Sequence, residues 1–184
     1  MPGKRYNEIF ELAAEQYGYV TTGDAREMGI DIRRLSDLKA RGQADHPAVG
    51  LYRIRAIPPT RWDPYMAAAL WHHGAGVISH ETALDLYDVS DVNPAKIHIT
   101  IPRTPRLTRV PPPAYVVHRE ALDPRDVTRI ESVPIVTLEK AIRQCVASKL
   151  RPDLLRQAVD SGRRTGKLRS GQVEALLAEF APAG

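Results

Sequence analysis

The sequence predicts an α+β fold in two parts, and two observations support this prediction. The first part shows three helical patterns in succession and then a ribbon of strands, which is the element order of a winged helix-turn-helix. The second part mixes helical stripes with short strands, of which the strictly alternating "KIHITI" at 96–101 is the clearest. We therefore expect a winged helix-turn-helix at residues 1–57 and a mixed helix and short-sheet domain at residues 58–184.

The first predicted helix is recognised by an apolar stripe on one side. Its members follow the spacing of an amphipathic helix that buries a single face: Tyr6, Ile9, Phe10, Ala13 and Tyr17. Gly18 follows directly and is a favourable residue just beyond a helix end. The segment is thus expected to pack against the helices that come next.

The stretch "TTGDAREMGIDIRRLSDLKARG" at 21–42 predicts two short helices around a glycine turn. Thr21 and Thr22 both carry hydroxyl groups able to cap the first of them, and Gly29 closes it. Asp31 is the expected N-cap of the second, which Gly42 ends. Its inward side is formed by Ile32, Leu35 and Leu38.

A turn-forming segment at 46–50, with Pro47 and Gly50, precedes "LYRIR", which reads as a strand. These residues predict the wing. The double proline Pro58-Pro59 then suits a hinge, and we place the domain boundary there. Asp63-Pro64 is a strong helix start beyond it.

The outward face of the third helix carries long cationic side chains, as a recognition helix requires. Arginine can bind guanine edges with two hydrogen bonds, and lysine or arginine can hold phosphates. Arg53 and Arg55 lie two residues apart on the wing strand and are expected to clamp phosphate from one side. The candidate DNA-binding residues are Thr22, Arg33, Arg34, Ser36, Lys39, Arg41, Arg53 and Arg55.

A second interpretation stays open at this point. The first 56 residues contain nine Lys and Arg against eight Asp and Glu, so the domain is not strongly basic. Arginines on a helix commonly form a solvated face, and winged helices also dock other proteins. The alternative is therefore a winged-helix interaction module that does not bind DNA.

Other chemistry-bearing residues do not assemble into a recognisable active site. "HIT" at 98–100 fits one half of a two-histidine phosphoesterase motif, but His118 is followed by Arg119 and Glu120 where the second half needs a hydroxyl residue. His72 and His73 are adjacent and cannot chelate one metal as i, i+4 histidines do. We expect no catalytic residue, no metal and no cofactor, and hence no enzyme.

Bulk properties fit this interpretation. The 184 residues carry a net charge of +4, and the single cysteine, Cys145, lies at an apolar helical position that favours inert packing. There is no signal-like apolar segment at the start and no long apolar run, so we expect a cytoplasmic protein without a membrane partner. Two basic segments, 103–109 with Arg103, Arg106 and Arg109, and 163–169, are either solvated or electrostatic surfaces.

Taken in order, these pieces resemble the AbiEi family of type IV antitoxins from bacterial toxin–antitoxin systems. The N-terminal stretch up to "GLYRI" resembles the family's winged-helix domain, and "VISHETALDLYDVSD", "KIHITIP", "VVHRE" and "VPIVTLEKAIRQCV" follow the order of its C-terminal domain. The similarity extends from about Tyr6 to Ala147.

The resemblance implies a function and a set of partners. It implies a repressor of its own operon that binds inverted repeats in upstream double-stranded DNA and counteracts a nucleotidyltransferase-type toxin, with direct contact between the two proteins left open. The positions that match the family's DNA-binding segment are Thr22, Arg33, Arg34, Arg41 and Arg53.

Overall fold

The computed structural model describes residues 4–103 and 110–180, with side chains from residue 6 onward. Arg106 and Arg109 of the proline-rich segment lie outside the described residues. The chain forms two compact units. One comprises the chain up to Gly76 together with Ile130–Pro134, and the other comprises Val77–Arg129 and the chain from Ile135 onward. The predicted boundary between residues 57 and 58 falls within the first of these spans and stays a prediction.

The first unit is a winged helix-turn-helix followed by one further helix, which confirms the predicted fold. Its elements, in chain order, are α1 (Lys4–Glu15), β1 (Tyr19–Thr21), α2 (Thr22–Glu27), α3 (Arg33–Ala40), β2 (Ala44–Ala48), β3 (Leu51–Ile54) and α4 (Asp63–Trp71). The three strands form an antiparallel sheet in the order β1-β3-β2. The sequence predicts only two of these strands, because β1 has three residues, all buried, and so shows no alternation.

Helix α2 begins with a capping box at Thr21. The Thr21 hydroxyl accepts a hydrogen bond from the Asp24 backbone N–H at 3.0 Å, and the Asp24 carboxylate accepts one from the Thr21 N–H at 2.7 Å. Thr22 is the first helical residue, and its N–H donates to the Gly50 carbonyl at 2.9 Å. The start of α2 is thereby tied to the wing turn.

Helix α3 begins one residue later than expected. Ile32 occupies the N-cap position and provides no side-chain cap, while the Asp31 carboxylate accepts from the Arg33 N–H at 2.9 Å. Asp31 therefore satisfies a free helical N–H as predicted, from one position upstream. The helix ends at Ala40, and Gly42 follows in the left-handed region with φ +69°.

One hydrophobic core holds the first unit together. It joins the inner faces of the three helices to the sheet, through residues that include Ile9, Ala13, Val20, Leu35 and Ile54. Each of these five side chains is no more than 2% exposed. Residues of the apolar stripe of α1 and inward residues of α3 thus belong to one core, as their spacing predicted.

The second unit combines a mixed sheet with four helices among the described residues. Its elements are β4 (Val77–Ile78), α5 (His80–Leu86), β5 (Ile97–Ile101), β6 (Tyr115–Arg119), a 3-10 turn (Pro124–Asp126), β7 (Val127–Ile130), β8 (Val133–Val136), α6 (Leu138–Ala147), α7 (Pro152–Arg164) and α8 (Ser170–Phe180). The sheet order is β6-β5-β4-β8-β7, with β5 parallel to β6. The expected α+β class is confirmed.

The helices of the second unit pack closely. Thr137 caps α6 by accepting from the Lys140 N–H, as expected, and Cys145 is fully buried in that helix. A Cβ placed at Gly162 of α7 would lie 2.8 Å from Leu168 Cδ1 and 2.9 Å from Leu138 Cδ2. Among the described residues, no helix is both long enough and apolar enough to cross a lipid bilayer.

Candidate nucleic-acid interface

The outward face of α3 presents an exposed cationic surface. Leu35 and Leu38 point into the core, whereas the predicted contact residues on the other side are exposed: Arg33, Arg34, Ser36, Lys39 and Arg41. Across residues 4–103 and 110–180, none of these four cations forms a salt bridge with a carboxylate of the chain. This surface, which we call the α3 face, can therefore meet a polyanion without first breaking internal ion pairs.

The acidic residues near the α3 face do not neutralise it by direct pairing. The Asp31 carboxylate bonds the backbone N–H of Arg33 and not its guanidinium. Asp37 is exposed, and within the described chain it makes no ion pair with Arg34 or Arg41. The Coulomb effect of these two carboxylates on the neighbouring arginines is weakened by solvent.

The wing contacts the α3 face through polar and aromatic side chains. The Ser36 hydroxyl lies 3.4 Å from the Tyr52 hydroxyl, and the His46 ring lies over Tyr52 with its centroid 4.5 Å away. Burial, followed by the nearby charge of Lys39, lowers the pKa of His46. The hairpin tip carries Val49, an apolar side chain that is 72% exposed.

Arg53 has a different environment from the one predicted. Its Nε donates to Asp63 Oδ2 at 2.9 Å, its Nη2 forms an ion pair with the same oxygen at 2.8 Å, and Nη2 donates to the Ile57 carbonyl at 3.2 Å. The side chains of Arg53 and Asp63 are only 16% and 11% exposed. The guanidinium further lies 5.9 Å from the centre of the Tyr19 ring. These contacts join β3 to α4, so the position of Arg53 is explained by packing and not by an open phosphate clamp.

Arg55 remains at the surface but has an acidic partner. Its Nε donates to Asp45 Oδ1 at 2.9 Å, and its side chain is 58% exposed. The hydrogen bond from Arg55 lowers the pKa of Asp45, and the same bond raises the pKa of Arg55. Arg55 can reach a phosphate only in competition with Asp45. Thr22, half-buried, contributes its backbone to the α2–wing connection described above.

A second group of functional side chains lies in the other unit, where the sequence analysis expected none. His118 Nε2 is 3.2 Å from His98 Nδ1, and the ring of His80 stacks on that of His118 with centroids 3.5 Å apart. We call these three residues the histidine cluster. His80 is buried, and the other two are half-buried. Burial is the main cause of their lowered pKa values, which fall to about 3 for His80 and about 4 for His118.

A polar network adjoins the histidine cluster. Gln144 Nε2 donates to Glu120 Oε2 at 2.7 Å, and the Lys140 ammonium donates to the other oxygen of the same carboxylate. Burial opposes ionisation of Glu120, but the bonds from Lys140 and Gln144 outweigh it and lower its pKa. These groups border a cavity of about 480 Å³ that is also lined by His80, His118 and Arg143.

The sequence signals for the histidine cluster were present but incomplete. "HIT" and "VVHR" each placed a histidine on a strand, and their pairing was rejected because His118 is not followed by a hydroxyl residue. That motif argument still holds, since Arg119 and Glu120 follow His118. The structure nevertheless brings His98 and His118 into contact, because β5 and β6 are neighbouring parallel strands.

Comparison with known proteins adds a family and a fold. A search of curated proteins finds no match. The crystal structure of RV2827C protein from Mycobacterium tuberculosis is similar to this chain with a TM-score of 0.51 and 17% sequence identity, over 93% of this chain and 70% of that one. Because only 17% of the aligned residues are identical, the similarity between the two proteins indicates a shared fold and nothing about function.

The family comparison bears on the winged helix itself. Residues 7–55 match a family model described as "Transcriptional regulator, AbiEi antitoxin". This span runs from α1 to the end of the wing and contains the whole α3 face. The resemblance to the AbiEi antitoxin family that the sequence suggested is thus confirmed over residues 7–55, the part of the chain that matches this family of transcriptional regulators.

Proposed function

We propose that this chain is a cytoplasmic, non-enzymatic antitoxin that represses its own operon by binding upstream double-stranded DNA and counteracts a nucleotidyltransferase-type toxin. The observation that carries the DNA-binding half of the proposal is the α3 face, whose four cations are exposed and unpaired with carboxylates within the described residues. The match of residues 7–55 to antitoxin regulators supports the role as a whole.

In this proposal α3 enters the major groove with its N-terminal half. Arg33 and Arg34 lie there and can each offer two parallel N–H groups to a guanine edge. Lys39 and Arg41, toward the other end, reach the flanking phosphates. Arg55 can add a backbone contact from the wing, whereas Arg53 is assigned to packing because Asp63 holds it.

The first test is the Arg34→Ala variant in a DNA-binding assay. If Arg34 reads a guanine, its loss should cost about 1–3 kcal/mol of binding free energy and relax specificity at one base pair. Fluorescence anisotropy with a labelled fragment of the gene's own upstream region measures the affinity, and a set of single-base variants of that fragment locates the relaxed position.

Arg151→Ala provides the matched control. Arg151 is an exposed arginine of the second unit that bonds Asp153 and lies far from α3 in sequence. Its removal changes the net charge by the same amount and should leave the affinity unchanged. Unaltered binding by Arg34→Ala, or equal losses in both variants, would overturn the proposed docking.

The rival function is a winged helix that docks a protein and does not bind DNA. One observation favours it: both wing arginines are held by carboxylates, Arg53 by Asp63 and Arg55 by Asp45. A competition assay separates the two. Retention of the upstream fragment in excess random DNA supports repression, whereas no more retention of that fragment than of random DNA contradicts it, and the absence of binding to either supports the rival.

The antitoxin half of the proposal needs its own experiment. The chain is co-expressed with a nucleotidyltransferase-type toxin encoded beside its gene, and growth is compared with that of cells expressing the toxin alone. Restored growth is the expected result. An Arg34→Ala chain that rescues growth without repressing transcription would separate toxin neutralisation from DNA binding, and failure of the wild-type chain to rescue would contradict the antitoxin role.

A further inference from the structure

The register of two parallel strands brings the histidine cluster together. His98 of β5 pairs with Val116 of β6, and Thr100 pairs with His118. Because side chains alternate along a strand, His98, Thr100 and His118 share one face of the sheet. His80, at the first position of α5, lies against that same face and stacks on His118.

The spacing of the ring nitrogens suits a metal ion. Zinc–nitrogen bonds of about 2.0–2.1 Å place two ligands of a tetrahedral ion about 3.3 Å apart. His98 Nδ1 and His118 Nε2 are 3.2 Å apart, and one nitrogen from each of the three histidines lies within 4.8 Å of the others. The rings of His80 and His118 are stacked nearly parallel, so they would have to rotate relative to each other for both nitrogens to point at one ion.

We propose that His80, His98 and His118 bind one divalent transition metal ion, with zinc the ion that three imidazole ligands favour. Zinc is preferred because imidazole is among its usual ligands and because zinc imposes no fixed geometry of its own. This site is separate from the α3 face, and it does not depend on the function proposed above.

The local backbone and the neighbouring hydroxyl orient His80 for such a role. His80 has φ +52°, a left-handed conformation that is unusual for a residue with a side chain. The Ser79 N–H donates to the His98 carbonyl at 3.0 Å, which fixes the start of α5 against β5. Ser79 occupies the N-cap position, yet its hydroxyl lies 2.9 Å from His80 Nδ1 and gives no side-chain cap. This partner leaves Nε2 of His80 available as a ligand.

The protonation state of the cluster agrees with this assignment. Burial keeps the pKa values of all three imidazoles below that of free histidine, so the rings are neutral near neutral pH. Neutral imidazole is the form that binds metals. Metal binding would require the hydrogen between His98 Nδ1 and His118 Nε2 to move to the other nitrogen of its ring.

The surroundings define what else could reach the metal. A set of three histidines leaves a fourth tetrahedral position. His80 and His118 both line the cavity described above, whose other lining residues include Arg103 and Arg119 and the ion pair of Lys140 with Glu120. A water molecule or a small anion is therefore the expected fourth ligand.

The test uses the full chain, purified without a polyhistidine tag and treated with a chelator. Isothermal titration with Zn²⁺ should give one equivalent, and Co²⁺ should produce the intense visible absorption of a tetrahedral complex. Zinc should also raise the midpoint of thermal unfolding, because it binds the folded state. Less than one equivalent, or the weak spectrum of six-coordinate Co²⁺, would overturn the proposal.

Variants identify the ligands. His98→Asn and His118→Asn should each weaken zinc binding by more than about 100-fold, and Ser79→Ala by about tenfold, as for a group that orients a ligand. His46→Asn is the matched control, since His46 lies on the wing in the other unit and should bind zinc as the wild type does. Wild-type affinity in a folded His98→Asn or His118→Asn chain would contradict the site.

A second measurement covers variants that fail to fold. Zinc should protect His98 and His118 of the wild-type chain from modification by diethyl pyrocarbonate, read out by mass spectrometry, and should leave His46 reactive. Equal modification of His98 and His118 with and without zinc would exclude them as ligands.

Discussion

Arg53 and Arg55 are separated by one residue, yet their guanidinium groups have different surroundings. Arg53 is enclosed by Asp63, the Ile57 carbonyl and the Tyr19 ring, and Arg55 is exposed beside Asp45. Their spacing along the wing suggested a common role at the DNA backbone. The structure separates them into a packing residue and a surface residue.

Replacing each arginine by alanine should therefore affect different properties of the chain. Arg53→Ala leaves the buried Asp63 carboxylate without its cation and should lower the free energy of unfolding by about 1–3 kcal/mol. Arg55→Ala should leave the urea unfolding midpoint nearly unchanged. If Arg55 contacts a phosphate, its loss should reduce the salt dependence of DNA binding by about one contact.

Urea titration followed by circular dichroism, and anisotropy at several salt concentrations, measure the two properties on the same samples. An Arg53→Ala chain as stable as the wild type would show that the ion pair with Asp63 contributes nothing to the fold. Residue spacing could not predict this ion pair. Asp63 lies ten residues after Arg53 in the sequence, beyond the double proline, and the two side chains meet only because α4 packs on the sheet.

Helix α7 contains a glycine, Gly162, at a position where any larger residue would overlap neighbouring side chains. Gly162 has an ordinary helical conformation, so its lack of a Cβ is explained by its neighbours, Leu168 and Leu138, and not by its backbone angles. Gly171, near the start of α8, has no atom within 4 Å of the position that a Cβ would occupy. The two glycines form a natural matched pair.

We expect Gly162→Ala to destabilise the chain by about 1–3 kcal/mol, because the added methyl group overlaps two leucine side chains in a filled core. Gly171→Ala should be neutral or slightly stabilising, since alanine is the better helix former. Thermal unfolding of both variants measures the difference. Equal midpoints would mean that the leucines move aside at no cost.

The elements themselves were largely predictable where periodicity was long enough. Helices α1, α6 and α8 and strand β5 follow their apolar patterns closely. Strands β1 and β7 were missed: β1 is three buried residues between two helices, and β7 has exposed Thr128 and Arg129 at its centre. In both cases the segment is a strand because it pairs with a neighbouring strand, and its own sequence does not show the alternation of apolar and polar residues that predicts one.

At the scale of the whole molecule, charge is nearly balanced outside the α3 face. The net charge is only +4, and the first 56 residues carry a single excess positive charge by the count of nine cations against eight anions. Non-specific attraction to DNA should therefore be modest, and the exposed cations of α3 should supply most of the electrostatic term.

This distribution predicts a shallow salt dependence. Each phosphate contact contributes about 0.9 to the slope of log K against log salt, so three to four contacts per chain should give a slope of about −3 to −4. Anisotropy across a series of KCl concentrations measures it. A slope near zero would contradict electrostatic docking, and one several times steeper would require cations from beyond the α3 face.

The proximity of the three histidines in the histidine cluster could not be predicted from the sequence. Each histidine was visible by itself, on a helix start or a strand. Their convergence depends on β5 and β6 lying side by side in parallel, with a connecting segment between them. That arrangement follows from the assembly of the sheet, and no local spacing encodes it.

The bond between Arg53 and Asp63 has a practical consequence for anyone who wishes to transplant this winged helix. A fragment that ends at the double proline would contain Arg53 but not Asp63. The partly buried guanidinium of Arg53 would then lack the carboxylate that neutralises it. A portable version must retain α4, or replace Arg53 by a side chain that needs no such neighbour.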